Sequence, residues 1–146
     1  MAELFLDVNV PMYAAGKEHL YKAPCAWVMT EIAEGRIDAA IDVEVIQESL
    51  YRYGAIDQWR IGVSVAENLL KIVPVIYPIQ LADIRLAVKL FERYAPHEIP
   101  ARDVLHVAVM RNNGLSRIIS VDTHLDRIKE IKRLDPKTLF AKTQKA

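Results

Sequence analysis

An α/β fold built on a central, mostly parallel sheet covered by helices is what this chain predicts, and three observations carry the prediction. Short apolar runs of strand length alternate with longer stretches of helical periodicity, the pattern left by parallel strands joined through helical crossovers. The stretch over residues 101–113 is apolar nearly all the way round, with Val104, Leu105, Val107, Ala108, Val109 and Met110, as befits a helix buried against a sheet. Finally, 146 residues with 52% apolar and 26% charged content suit one globular domain over residues 1–146, long enough to bury a core.

The elements follow in order. Strands are expected at residues 3–6, 39–41, 73–76 and 118–120, each a compact apolar run. A helix over 23–34 has Pro24 in its first turn and Gly35 at its end, the two places where those residues suit a helix. A second, over 43–53, is stopped at Gly54, and its stripe is read as Val43, Ile46, Leu50 and Tyr53. Further helices are expected over 56–71, 81–94, 101–113 and 124–132, with residues 142–146 fraying.

Charge is balanced, with 19 basic and 19 acidic residues, so it points to no class of partner. Its distribution is uneven. The tail over about 127–146 carries seven Lys or Arg against two acidic residues, a segment suited to solvent, a phosphate backbone or an acidic partner. The single cysteine, Cys25, has no disulfide partner and no zinc-site spacing around it, which fits a reducing, cytoplasmic setting. The first residues lack a basic signal region, and the longest uncharged run, 72–82, holds two prolines; no signal peptide or membrane span is expected. Five glycines form neither GxGxxG nor a P-loop, and G-x-S-x-G and H-E-x-x-H are absent. Dinucleotide sites, Walker-type NTPases, serine-elbow hydrolases and the common zinc hydrolase helix are thereby set aside.

Four carboxylates far apart in sequence stand where strands or helices begin or end: Asp7, Glu48, Asp103 and Asp122. Collected in one place they would repel, and a divalent cation is the usual compensation. Each has a structural alternative. Asp7 closes the first apolar run, where ligands gather in parallel sheets, but it or Asn9 could cap a helix entered at Pro11. Asp103 opens the buried helix, where an acid also meets the positive helix end. Asp122 follows the strand at 118–120 as an N-cap would, although Thr123 and Asp126 offer a capping box of their own. Glu48 lies opposite the expected stripe and reads as solvent-facing. His106, one turn after Asp103, is either a satisfied buried histidine or a group that reaches phosphate or supports a metal-holding side chain.

Phe5-Leu6-Asp7-Val8-Asn9-Val10, residues 45–53, Ala101-Arg102-Asp103-Val104-Leu105-His106-Val107-Ala108 and residues 118–126 occur in the order seen in PIN domains. Together they resemble a PIN-domain ribonuclease of the VapC toxin type, over residue 4 to about residue 128. The resemblance implies a three-layer α/β/α fold with a central parallel sheet. It makes Asp7, Glu48, Asp103 and Asp122 the catalytic, metal-holding carboxylates for Mg2+ or Mn2+, with Asp126 a fifth candidate and Asn9 a supporting hydrogen-bonder. Val8 replaces a common Thr or Ser, and His124 replaces a common acid at a second-ion position. The implied chemistry is metal-assisted hydrolysis of an RNA phosphodiester without a covalent intermediate, by the toxin of a type II toxin–antitoxin pair.

A small antitoxin and a second copy of the chain are the implied protein partners. Arg102, His106, Arg127 and Lys129 flank the acidic segments and are candidates to grip phosphate. Trp59, Ile61, Leu69, Leu70 and Phe91 exceed what one small core requires and mark an interface. A housekeeping RNA-processing nuclease and a catalytically silent RNA-binding module are the alternatives. A haloacid-dehalogenase phosphatase would need a second Asp where Asn9 stands, and a receiver domain would need adjacent acids and a late Lys that this chain lacks.

Overall fold

The computed structural model describes residues 3–144. Five strands, β1 (Leu4–Leu6), β2 (Ala39–Asp42), β3 (Val75–Tyr77), β4 (Arg117–Ile119) and β5 (Lys132–Leu134), form one sheet in the order β3-β2-β1-β4-β5. Every pairing is parallel. Parallel strands need crossovers, and these are α1 (Asn9–Ala15), α2 (Lys22–Ala33), α3 (Val43–Ala55), α4 (Trp59–Ile72), α5 (Leu81–Tyr94) and α6 (Ala101–Asn112), with α7 (Pro136–Gln144) following the last strand. The result is the expected three-layer α/β/α architecture. Phe5, Leu6, Ile41, Ile118 and Ile119 fill its centre, fully buried, as a sheet covered on both faces requires.

The order of the strands positions the site. From β1 the chain steps outward to β2 and β3, then returns to β4 and β5 on the other side of β1. The crevice where that direction reverses, beyond the carboxyl ends of β1 and β4, is where ligands bind in open α/β sheets. Asp7 follows β1 directly, Asp42 ends β2, and Asp122 comes shortly after β4.

The C-terminal part of the chain corrects the expectations first. Residues 124–132 do not form an α-helix: Thr123–Arg127 is a single 3-10 stretch, followed by strand β5. β5 reads Lys-Arg-Leu and lies on the sheet edge, where charge protects an open strand but hides it from an apolar pattern. The basic segment beyond it is therefore partly structured, since α7 packs on α2 with Phe140 tilted against Trp27 at 5.9 Å. The expected fraying of 142–146 meets a helix as far as Gln144, and residues 145–146 lie outside those described.

Helix α1 had been anticipated only as a helix entered at Pro11. It begins at Asn9, so Pro11 sits in the first turn, where its missing N–H costs nothing. The α3 stripe was misread too. Val43 and Leu50 are exposed, at 45% and 40%, while Val45, Glu48, Ser49 and Tyr53 are buried. Gly54 does not stop the helix, which continues through Ala55.

Candidate functional site

Parallel register builds the first half of the site. Leu6 is paired with Ile119, so the next residues, Asp7 and Ser120, emerge side by side. The Ser120 hydroxyl donates to Asp7 Oδ2 at 2.7 Å, the Val8 N–H donates to Oδ1 at 2.8 Å, and Asn9 Nδ2 donates to Oδ2 at 3.2 Å. Asn9 is tied in turn to Ser120 Oγ at 3.0 Å and accepts from the Val121 N–H at 3.2 Å. Neither Asp7 nor Asn9 caps α1, whose cap position is Val8. Burial pushes the Asp7 carboxyl above its ordinary range, with Glu48 adding to the rise and His106, Ser120 and the Val8 N–H opposing it.

The second half comes from α3 and α6. Asp42 is the N-cap of α3, accepting from the Val45 N–H at 3.0 Å, and its other oxygen lies 2.7 Å from His106 Nδ1. His106 Nε2 lies 3.5 Å from Glu48 Oε1. All three side chains are buried. Burial alone would discharge His106, but its hydrogen bonds and proximity to Asp42 and Glu48 prevail and push it up to about 10. A charged histidine between two carboxylates is how buried charge is made tolerable.

Glu48, expected on the solvent face, is only 4% exposed. Burial raises its pKa, yet His106, Arg52 at 3.3 Å and Arg102 at 3.6 Å hold it below the usual range. Three cations therefore surround one buried acid. His106 is thus buried and satisfied, and through Glu48 it also supports one of the candidate metal-holding carboxylates; both ring nitrogens are engaged, so it does not reach a phosphate.

Asp103 differs from all of these. It stands in the first turn of α6, partly buried, with its carboxylate oxygens open to solvent and to the cleft. Burial pushes it up to about 7, reinforced by Asp7, Asp122 and Glu48 and opposed by His106. Asp122 caps the 3-10 turn, accepting from the His124 N–H at 2.9 Å, with His124 Nδ1 2.8 Å from the same oxygen. Its second oxygen stays available.

Asp7, Glu48, Asp103 and Asp122 all line one cleft of about 110 Å³, together with Asn9, Arg52 and Arg102. Residues separated by up to 115 positions are thus brought to one place by the crossovers. As the side chains stand, no three His, Cys, Asp or Glu groups among the described residues converge tightly enough to enclose an ion. The donor chemistry nonetheless suits a hard divalent cation, since every acid is an oxygen ligand and one has no other partner.

Several expected contributors lie elsewhere. Asp126 is exposed and paired with Arg133 at 2.9 and 3.2 Å, outside the cleft. Arg127 donates to the His97 carbonyl, and the Lys129 N–H donates to the Tyr94 hydroxyl; neither side chain lines the cleft. Of the cationic candidates only Arg102 does. Asp42, Ser120 and Arg52 were missed. Asp42 carried a legible signal, an acid between a strand and a helix, whereas the contact of Ser120 with Asp7 depends on register alone.

Known proteins resemble this chain in sequence and in fold. A VapC ribonuclease of Mycobacterium bovis is 31% identical over 131 residues, covering 90% of this chain and 98% of that protein. Ribonuclease VapC23 of Mycobacterium tuberculosis is 29% identical over 82% of the chain and 92% of its own length. In fold, the chain superimposes on DNA-bound VapBC from Salmonella typhimurium with a TM-score of 0.71 at 13% identity, covering 93% of this chain and 99% of that one. VapC20 of Mycobacterium tuberculosis, a sarcin–ricin loop cleaving toxin, gives 0.67 at 14% identity over 80% and 87%. The PIN domain profile matches residues 4–131, a span that begins at β1 and takes in every carboxylate of the cleft, and the chain belongs to the PIN domain family.

Proposed function

We propose that this protein is a metal-dependent endoribonuclease that hydrolyses RNA phosphodiester bonds and serves as the toxin of a type II toxin–antitoxin pair. The observation that carries the reading is the Asp103 carboxylate, unpartnered and half-buried in a cleft with three other acids. Burial and the neighbouring acids disfavour its charged form, which a bound cation would favour. Relatives that match nearly their full length to this chain are named ribonucleases, which supports RNA as the substrate.

Asp7, Glu48, Asp103 and Asp122 would hold Mg2+ or Mn2+. When bound, the ion supplies an acidified water and charge neutralisation at the scissile phosphate. The chain's own residues do the rest. Ser120, Asn9 and the Val8 N–H fix the orientation of Asp7, so that its oxygens keep one direction. His106 holds Glu48 ionised from within the core, and Arg52 does so from the surface. Arg102, partly exposed on the rim and 3.3 Å from Glu44, is placed to meet a phosphate oxygen.

An antitoxin partner and a homodimer are part of the proposal. Both need apolar surface, and the molecule exposes Trp59, Leu70, Leu81 and Val88 at 53%, 56%, 65% and 64%. No helix among the described residues is long and apolar enough to cross a membrane.

The test is cleavage of structured RNA by purified protein in Mg2+ or Mn2+ against EDTA, beside Asp7→Asn and Asp103→Asn. We expect loss on metal removal and at least roughly a hundredfold loss in each variant. Calorimetry with Mn2+ should show the affinity of Asp103→Asn falling in parallel. Unchanged cleavage in EDTA would overturn the reading, and RNA binding without cleavage would leave a silent binding module.

A further inference from the structure

The carboxylate cleft opens into a larger groove of about 820 Å³, and the two share Asn9, Arg52 and Asp122. Nothing in the chemistry described above uses it. Tyr13 and His19 line its wall, and their rings lie 4.9 Å apart at 37°. Tyr21 packs behind both, 5.6 Å from Tyr13 and stacked on His19 at 6.0 Å with only 13° between planes.

This aromatic corner is braced by hydrogen bonds. The Tyr21 N–H donates to His19 Nδ1 at 3.1 Å, which fixes the imidazole in orientation. The Tyr21 hydroxyl donates to Asp135 at 2.9 Å, and the Lys137 ammonium sits 4.9 Å from the Tyr21 ring centre. Tyr13 is anchored on the core side, whereas His19 is exposed. Both rings line a groove that has Lys17 and Arg52 on its walls.

Resting on the ribonuclease reading, we propose that this groove is a base-binding subsite. In it the base of an unpaired nucleotide next to the scissile phosphate stacks on Tyr13 and His19. Three features commit the occupant to a nucleotide. The groove is continuous with the cleft, so a chain whose phosphate lies at Asp103 must pass through it or past it. Its volume falls in the range of small-molecule sites. Single-stranded RNA is recognised chiefly by stacking of splayed bases on Tyr, His, Phe or Trp rings. Stacking is tolerant of base identity, so the subsite selects for an unpaired nucleotide, a loop or bulge, over a duplex. With Glu18 and Asp122 offsetting Lys17 and Arg52, the groove has little net charge, and the rings must supply the grip.

The experiment uses the full chain in EDTA and single-stranded RNA octamers carrying 2-aminopurine at each position in turn, whose fluorescence is quenched on stacking. Quenching at one or two adjacent positions is expected. It should disappear in His19→Ala and in Tyr13→Leu, persist in Tyr13→Phe, and be accompanied by about a tenfold loss of affinity in the first two variants. His19→Ala guards against misfolding, because His19 lies on an exposed loop. Uniform quenching at all positions, or none, would overturn the subsite, as would unchanged affinity in His19→Ala and Tyr13→Leu. The two readings separate: metal-dependent cleavage with no site-specific quenching keeps the nuclease and removes the subsite. Site-specific quenching lost in His19→Ala, in a protein that never cleaves, does the reverse.

Discussion

Asp103 is the residue whose behaviour most exposes the design of the site. Its carboxyl, ordinarily near 3.8, is pushed up to about 7 by burial and by the acids around it. The neutral form is therefore favoured by folding. Its contribution to stability is full below 3.8 and is lost as pH rises through 7. Glu48, shifted downward, acts only in more acid solution, and His106, raised to about 10, acts above 6.5. Between pH 5 and 7 in EDTA, thermal unfolding should show a stability loss of about 2 kcal/mol. Asp103→Asn should reduce that slope, leaving what is due to Asp7, whose carboxyl is also raised, and, above 6.5, to His106; saturating Mn2+ should remove the Asp103 part by binding the ionised form. A slope unchanged by Asp103→Asn would show that its carboxyl is not the group under stress.

Elements act through the contacts between them. Asp42, His106 and Glu48 tie the end of β2, the start of α3 and the body of α6 into one buried charged unit. Replacing the central cation, as in His106→Leu, leaves Asp42 buried without its ion-pair partner and Glu48 held only by Arg52 and Arg102, and urea unfolding should report a loss of roughly 3–5 kcal/mol. Tight helix packing is the second control. A Cβ at Gly62 would lie 2.9 Å from Tyr53 Cβ, so α4 approaches α3 only because position 62 has no side chain. Gly62→Ala should cost about 1–3 kcal/mol in the same assay, against the small gain that alanine brings to an open helix position. A neutral or stabilising result would mean that the two helices can move apart freely.

For the whole molecule the open question is association. On α5, Leu81, Ile84, Val88 and Phe91 recur at helical spacing with exposures of 65%, 43%, 64% and 40%, a stripe that water would not favour on an isolated chain. Val88→Glu should convert a dimer to a monomer in light scattering while circular dichroism stays the same. A wild-type chain already monomeric at tens of micromolar would remove α5 as the dimer face. Leu69, included in the expected interface, is fully buried and belongs to the core; Trp59, Ile61, Leu70 and Phe91 are exposed as that reading requires.

Local pattern determined much on its own. Alternating apolar and helical stretches established a parallel α/β sheet, and the all-round apolar α6 announced its burial, because both depend on neighbours a few residues away. The short carboxylate motifs, each at an element boundary, marked Asp7, Asp103 and Asp122. Tertiary structure decided what depends on distant partners. Glu48 reads as solvent-facing when its stripe is counted from Val43, and only the placement of α3 after β2 and against α4 turns it inward beside His106. Asp42 and Ser120 acquired their roles from register and crossover, which place residues side by side that sequence separates by more than a hundred positions for Asp7 and Ser120. β5 escaped notice because an edge strand of Lys, Arg and Leu has no apolar period to read. Periodicity reports which face of an element is greasy; which charges meet there is settled by the assembled sheet.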